Sequence, residues 1–218
     1  MTTDNPATSE DKSKHLTEMI LKGDHENAAR LAAEIAHKGL ETNDIVDAIS
    51  DAMNIVVDLH EVERYSIEQV ENCERAAEGA LQAIRPKIRV EQSRISGKVM
   101  VTSLQGDPHN FDKTLLLTML EIGGFSALDG GEERSPEEIA DRVSTMKPDI
   151  LAVPLVTPAA VRGLIDAKTL MSDLGLRTRI VAYGKGVTSL PKTAEFSAVE
   201  EDSLGALSKI AEILLLSP

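Results

Sequence analysis

The sequence predicts an α/β protein whose first part is all-helical and whose second part alternates strands with helices. Two observations carry this reading. Up to about residue 88 the apolar residues recur at helical spacing, and from Lys98 onward short apolar runs alternate with longer amphipathic stretches. A third observation separates the halves: RVEQSRISGK, residues 89–98, is polar and has no clear period, so residues 89–97 read as a linker.

Residues 1–14, MTTDNPATSEDKSK, read as a polar, disordered-looking tail. Across residues 15–35, Leu16, Met19, Ile20, Ala28, Leu31, Ala32 and Ile35 fit helical faces broken near Gly23, which predicts two short helices. Thr42 or Asn43 caps a third helix bearing Ile45, Ile49, Met53, Val56 and Val57. Ser66 precedes a fourth carrying Ile67, Val70, Ala77 and Leu81 up to Pro86. Residues 15–88 therefore form a four-helix unit.

In the second half VMVTSL (99–104), FSALDG (125–130), DILAVPLV (149–156) and TRIVAYG (178–184) read as strands, with a fifth short strand near Phe196. Helices are expected over 112–123, 136–146, 158–174 and about 203–216. Strand-helix alternation of this kind predicts a parallel sheet, and the order of elements is that of a flavodoxin-like (Rossmann-type) doubly wound domain over 98–218. There is no internal repeat.

Composition narrows the function classes. The 42% apolar and 27% charged content is that of a globular chain, and no stretch has the roughly 18 uninterrupted apolar residues of a membrane span. The amino terminus has neither the apolar core of a signal peptide nor the Arg-rich look of a transit peptide, so the expected location is the cytoplasm. A formal charge of −13, with three Phe, two Tyr and no Trp, argues against nucleic acid as a partner. Residues 1–92 hold 19 acidic against 10 basic residues, while 93–218 hold 17 against 13, which makes the helical half the better docking surface for a basic partner. The single cysteine, Cys73, has no paired spacing around it and reads as a buried small hydrophobe.

Ligands of open α/β sheets settle beyond the carboxyl ends of the strands. The loop after the first strand, GDPHNFD (106–112), brings Asp107, His109 and Asp112 together just before a helix. A carboxylate two residues before an imidazole can fix its tautomer and raise its basicity as a metal ligand. On the residues alone, a lone loop histidine such as His109 is usually a surface residue, and Asp112 can be the N-cap of the next helix. His15, His25, His37 and His60 stand among charged residues and read as solvated.

GDPHNFDKTLLLTMLEIGGFSALDGG (106–131) resembles the cobalamin-binding signature of methionine synthase and of the corrinoid proteins in methyltransferase systems. Asp107 and His109 match the family pattern Asp-x-His-x-x-Gly, followed by Lys113, an apolar helix, Gly124-Phe125 and Asp129-Gly130. The stretch from Leu21 to Leu81 is similar to the helical cap of those proteins. The resemblance implies cobalamin or a related corrinoid as cofactor, with its own base displaced, His109 as the lower ligand of cobalt and Asp107 behind it. It also implies a cap over the upper face, with Met53 and Val57 near the cobalt; ordinary core packing is the other reading of both.

Three departures from the family map to the pocket for the nucleotide tail. Asp112 replaces the motif glycine. AVPLVTP (152–158) offers Pro154 and Leu155 where the family has Ser-x-Leu, with Thr157 the nearest hydroxyl. Tyr183-Gly184, with Gly186 beyond, replaces a Gly-Gly pair. A tyrosine there adds a ring to a channel that the family keeps open. The resemblance implies a non-catalytic methyl-carrier subunit serving a substrate-specific methyltransferase, an acceptor methyltransferase and a reductive activator protein. The alternative is a cobalamin-binding sensor with a remodelled pocket, and the oligomeric state is open.

Overall fold

The change of period is realised, in a computed structural model, as two compact units, Met1–Arg89 and Val90–Pro218. The structure describes residues 9–38, 42–87, 97–107 and 109–215. Of the expected linker only Gly97 falls within them, and of the expected tail residues 9–14, which belong to a helix.

The first unit holds α1 (Ser9–Leu21), α2 (His25–His37), α3 (Thr42–Glu61) and α4 (Ile67–Ile84), the last followed by a 3₁₀ turn at Arg85–Lys87. Gly23, at φ +68, makes the α1–α2 turn, and a Cβ there would lie 2.7 Å from that of Asn72. Asp24 caps α2 through the Asn27 amide. Ser66 caps α4 in a capping box with Gln69. α2 packs on α4 and α1 on α3. The buried residues of α2 and α4 include Ala28, Ala32, Ala76, Ala77 and Ala80, so small side chains dominate that core. Cys73 is buried and free, as its isolation suggests, and burial pushes its thiol pKa up. It donates weakly to the Leu21 carbonyl, as does the Tyr65 hydroxyl at 2.9 Å, which satisfies an end that α1 cannot satisfy itself.

The second unit is a five-stranded all-parallel sheet in the order β2-β1-β3-β4-β5. Its strands are β1 (Lys98–Val101), β2 (Ser126–Asp129), β3 (Ile150–Pro154), β4 (Arg179–Tyr183) and β5 (Ala198–Glu200). Its helices are α5 (Phe111–Ile122), α6 (Pro136–Met146), α7 (Pro158–Asp173) and α8 (Ser203–Leu215). Alternation along the strands separates two cores. Val99, Val101, Ile150, Ala152, Val181 and Tyr183 pack with buried residues of α5 and α8. Met100, Leu151, Val153, Ile180 and Ala182 pack with α6 and α7. This is the expected flavodoxin-like order.

Starts and stops follow local chemistry. Ser135 and Glu138 form a capping box before Pro136, and Thr157 caps α7 before Pro158. The helix expected from 112 begins at Phe111 with Asn110 in the N-cap position, so Asp112 lies in the first turn and is not the cap. The reason is that Asn110 and Phe111 already have helical dihedrals or hydrogen bonds when the chain reaches Asp112. A 3₁₀ helix at Lys185–Ser189, absent from the sequence reading, follows β4. No described helix is long and apolar enough to cross a membrane.

Candidate functional site

β1 runs into α5 on one face of the sheet and its neighbour β3 into α7 on the other, so the crevice between their carboxyl ends is the topological switch point. The loop bearing Asp107 and His109 is one wall of that crevice. Asp107 is 1% exposed. Its Oδ2 accepts from the amides of Val156 (2.9 Å) and Thr157 (3.3 Å), and its Oδ1 from the backbone amide of His109 (3.4 Å). The Thr157 hydroxyl returns a bond to the Gly106 carbonyl at 3.0 Å. One buried carboxylate thus fastens the β1–α5 loop to the β3–α7 loop, and Gly106, at φ +82, gives the turn that lets it.

A second network holds the same loop from the β2 side. Ser103 Oγ donates to Asn110 Oδ1 (2.9 Å) and accepts from the Glu133 amide (3.0 Å). Asn110 Nδ2 donates to Glu132 at 3.2 Å. The Lys113 ammonium, its side chain 3% exposed, reaches Asp129 (3.0 Å) and Glu132 (3.2 Å). His109, half-buried, therefore sits between two residues, Asp107 and Asn110, that are each fixed to another loop. The sequence reading named Lys113 and Asp129 only as part of the pattern and passed over Ser103, Asn110 and Glu132 as site residues. The one signal for them was their place at strand ends.

The remaining candidates fall into three groups. Pro154 and Leu155 are buried at the end of β3, and the Leu155 amide donates to the Tyr183 carbonyl at 2.7 Å. Gly184 and Gly186 close onto Leu155: the Gly186 amide donates to its carbonyl at 2.7 Å, and a Cβ on Gly184 or Gly186 would stand 2.9 or 2.7 Å from that oxygen. Tyr183, wholly buried, donates from its hydroxyl to the Asp112 carbonyl at 3.1 Å, and Ser203 Oγ donates to the same carbonyl at 3.5 Å. Burial, and then the Asp112 charge, push the phenol well above its ordinary range, so it stays a neutral donor. Met53 is buried and Val57 half-buried in the helical unit. The structure thus brings together Asp107, His109 and Thr157, and separately Tyr183 and Asp112.

The donor chemistry fits a corrinoid at one end of this site and not at the other. A histidine at the crevice suits a nitrogen-preferring transition metal such as cobalt, and its loop is held from two sides. The region where the resemblance puts the nucleotide tail is filled by the Tyr183 ring, which packs in one core with Val101, Leu116, Val181 and Ala206. A cavity of about 460 Å³ lies elsewhere, at the amino ends of β3 and β4 among Lys147, Asp149, Arg177 and Arg179, and none of the candidate residues lines it.

Comparison with known proteins agrees with the motif. Residues 13–85 match the family model of the B12 binding domain. The chain is 22% identical over 198 residues to trimethylamine corrinoid protein 1 of Methanosarcina mazei, covering 88% of this chain and 92% of that one. It shares the fold of the monomethylamine corrinoid protein of Methanosarcina barkeri, with a TM-score of 0.74 at 20% identity over 94% of this chain and 100% of that one. The methanol:cobalamin methyltransferase complex of Methanosarcina barkeri aligns with a TM-score of 0.50 at 16% identity, covering 100% of this chain and 90% of that one. The chain is therefore similar along most of its length to corrinoid proteins, and over residues 13–85 to the B12 binding domain.

Proposed function

From the B12 binding domain match and this whole-chain likeness, we propose that the chain is a methyl-carrying corrinoid protein of a methyltransferase system. The observation that carries the reading is the Asp107-x-His109 loop at the switch-point crevice, with Asp107 spent on holding the loop. When bound, the corrinoid supplies a cobalt centre that accepts and gives up a methyl group, and the protein supplies binding, orientation and electrostatics. His109 would offer its imidazole to the metal of a bound corrinoid. Asp107 fixes the position of the loop, and the network of Ser103, Asn110, Glu132 and Lys113 limits its movement. Met53 and Val57 belong to the helical unit, where they would be the cap residues that the resemblance implies.

A carrier needs enzymes on both sides of the transfer. The methyltransferase complex among the structural neighbours supports a substrate-specific methyltransferase as one partner. An acceptor methyltransferase, to tetrahydrofolate or a thiol, and a reductive activator complete the proposal. The chain itself is the non-catalytic subunit.

The test is reconstitution of the full chain with hydroxocobalamin, followed by cobalt content, the visible spectrum and electron paramagnetic resonance of the cobalt(II) form. We expect stoichiometric cobalt and nitrogen coupling that His109→Ala changes. A colourless, cobalt-free protein refutes the corrinoid reading, and coupling unaltered in His109→Ala refutes the ligand assignment.

A further inference from the structure

The resemblance implies a slot for the nucleotide tail next to Asp112 and the residues after β4, and the described residues there are buried and packed against one another. Two closures account for it. On the α5 and α8 side, the ring of Tyr183 is wholly buried, and its hydroxyl is tied to the first turn of α5 through the Asp112 carbonyl. Ser203, the first residue of α8, donates to the same carbonyl, so the strand end and both helix starts meet at one oxygen.

On the β3 side the closure is backbone against backbone. The amide of Leu155 reaches the Tyr183 carbonyl and the amide of Gly186 reaches the Leu155 carbonyl, both at 2.7 Å. Gly184 and Gly186 approach Leu155 so closely that even a methyl group would collide with its carbonyl. These glycines therefore serve a contact inside the fold and line no open channel. Pro154, Leu155 and Tyr183 are all buried. Admitting a benzimidazole would require the phenol to leave the core and give up its bond to Asp112.

From this disagreement we infer that the chain holds its corrinoid with the nucleotide tail outside the α/β core, and so accepts tailless, cobinamide-type corrinoids as readily as complete ones. The inference rests on the corrinoid reading above and deepens it by naming the ligand class. Tyr183 acts here as a specificity residue: it occupies the place of the tail and makes no contribution to coordinating cobalt.

The full-length apoprotein is titrated separately with hydroxocobalamin and with aquocobinamide, and binding is read from the visible spectrum. We expect wild-type affinities within about threefold of each other, and in Tyr183→Gly a shift of about tenfold or more in favour of hydroxocobalamin. Tyr183→Phe keeps the ring and should keep the wild-type ratio. A measurement on wild type alone stands beside the variants: the phosphorus resonance of bound hydroxocobalamin should remain open to broadening by a soluble paramagnetic agent. A wild-type preference of about tenfold for hydroxocobalamin, or a phosphate shielded from the agent, overturns the inference while leaving the carrier reading intact. Failure of the wild type to bind either corrinoid is a different result and removes the carrier reading itself.

Discussion

Replacing Asp107 with asparagine changes neither size nor shape, so it isolates the negative charge and the acceptors that join the two loops. The carboxylate is 1% exposed and takes three backbone amides, one at 2.9 Å and two at 3.3 and 3.4 Å. A hydrogen bond to a charged group contributes about 1.5–3 kcal/mol, and the two longer bonds add little beyond the short one. Asparagine keeps one acceptor oxygen but turns an NH2 group toward backbone N–H donors. The expected cost is about 2–3 kcal/mol, with almost no solvent screening at this depth. For a urea m-value of about 2 kcal/mol/M, the midpoint of the sheet unit falls by roughly 1 M. Urea unfolding followed by circular dichroism measures this, and amide hydrogen exchange at Val156 and Thr157 assigns the effect to the sheet unit. A midpoint within about 0.2 M of wild type, with unchanged exchange at those amides, refutes the role given to Asp107. Corrinoid affinity should also fall, by about 10- to 100-fold if the loop positions His109 as a supporting residue does.

Two further outcomes follow from the region after β4. Gly184 has φ +98 and ψ 172, a conformation that is essentially restricted to glycine, and its Cβ position faces the Leu155 carbonyl at 2.9 Å. Gly184→Ala should therefore cost about 2–4 kcal/mol, whereas Gly175→Ala, at φ +69 with open space around it, costs roughly 1 kcal/mol; equal losses in thermal unfolding contradict the close approach. The second concerns alkaline pH, because the buried Tyr183 phenol is raised well above the ordinary 10.0. Its neutral form is favoured by folding, so that contribution is complete below pH 10 and is lost as pH rises toward the raised native value. Phenolate absorbance from Tyr183 should appear only together with loss of the circular dichroism signal, and reversible ionisation of both tyrosines near pH 10 in a folded protein would count against the buried assignment.

Much of the fold was legible because its local signals agree with one another. Ser66 with Gln69, and Ser135 with Pro136 and Glu138, mark helix starts that the structure keeps. The strands of the second half were readable from apolar runs bounded by turn residues, and their order follows from the doubly wound rule. The start of α5 was misread because aspartate is a common cap, yet Asn110 holds the N-cap position without any side-chain cap bond. Within the site, the neighbours of His109 could be read from the motif, but their partners could not. Asp107 reaches Val156 across 49 residues and Lys113 reaches Asp129 across 16, and only the order of the strands brings those pairs together. Tyr183 stood out as a departure from the family pattern. That its ring lies in the core, bonded to a backbone carbonyl on α5, depends on the position of Asp112 in the first helical turn, two positions beyond the N-cap that the sequence reading allowed it.

The alanines shared between α2 and α4 have a consequence for how the helical unit responds to change. An alanine loses no rotamer freedom when it is buried, so each one joins the contact without the entropic loss that leucine or methionine incurs there. It also has no second rotamer to adopt. A contact of this kind cannot absorb a larger neighbour by rearranging side chains; a bulkier residue at the wholly buried Ala32 or Ala77 has to displace what surrounds it. The pair is therefore a stiff strut in a unit whose other buried residues, Leu16, Ile20, Ile45 and Ile49 among them, retain torsions that can adjust.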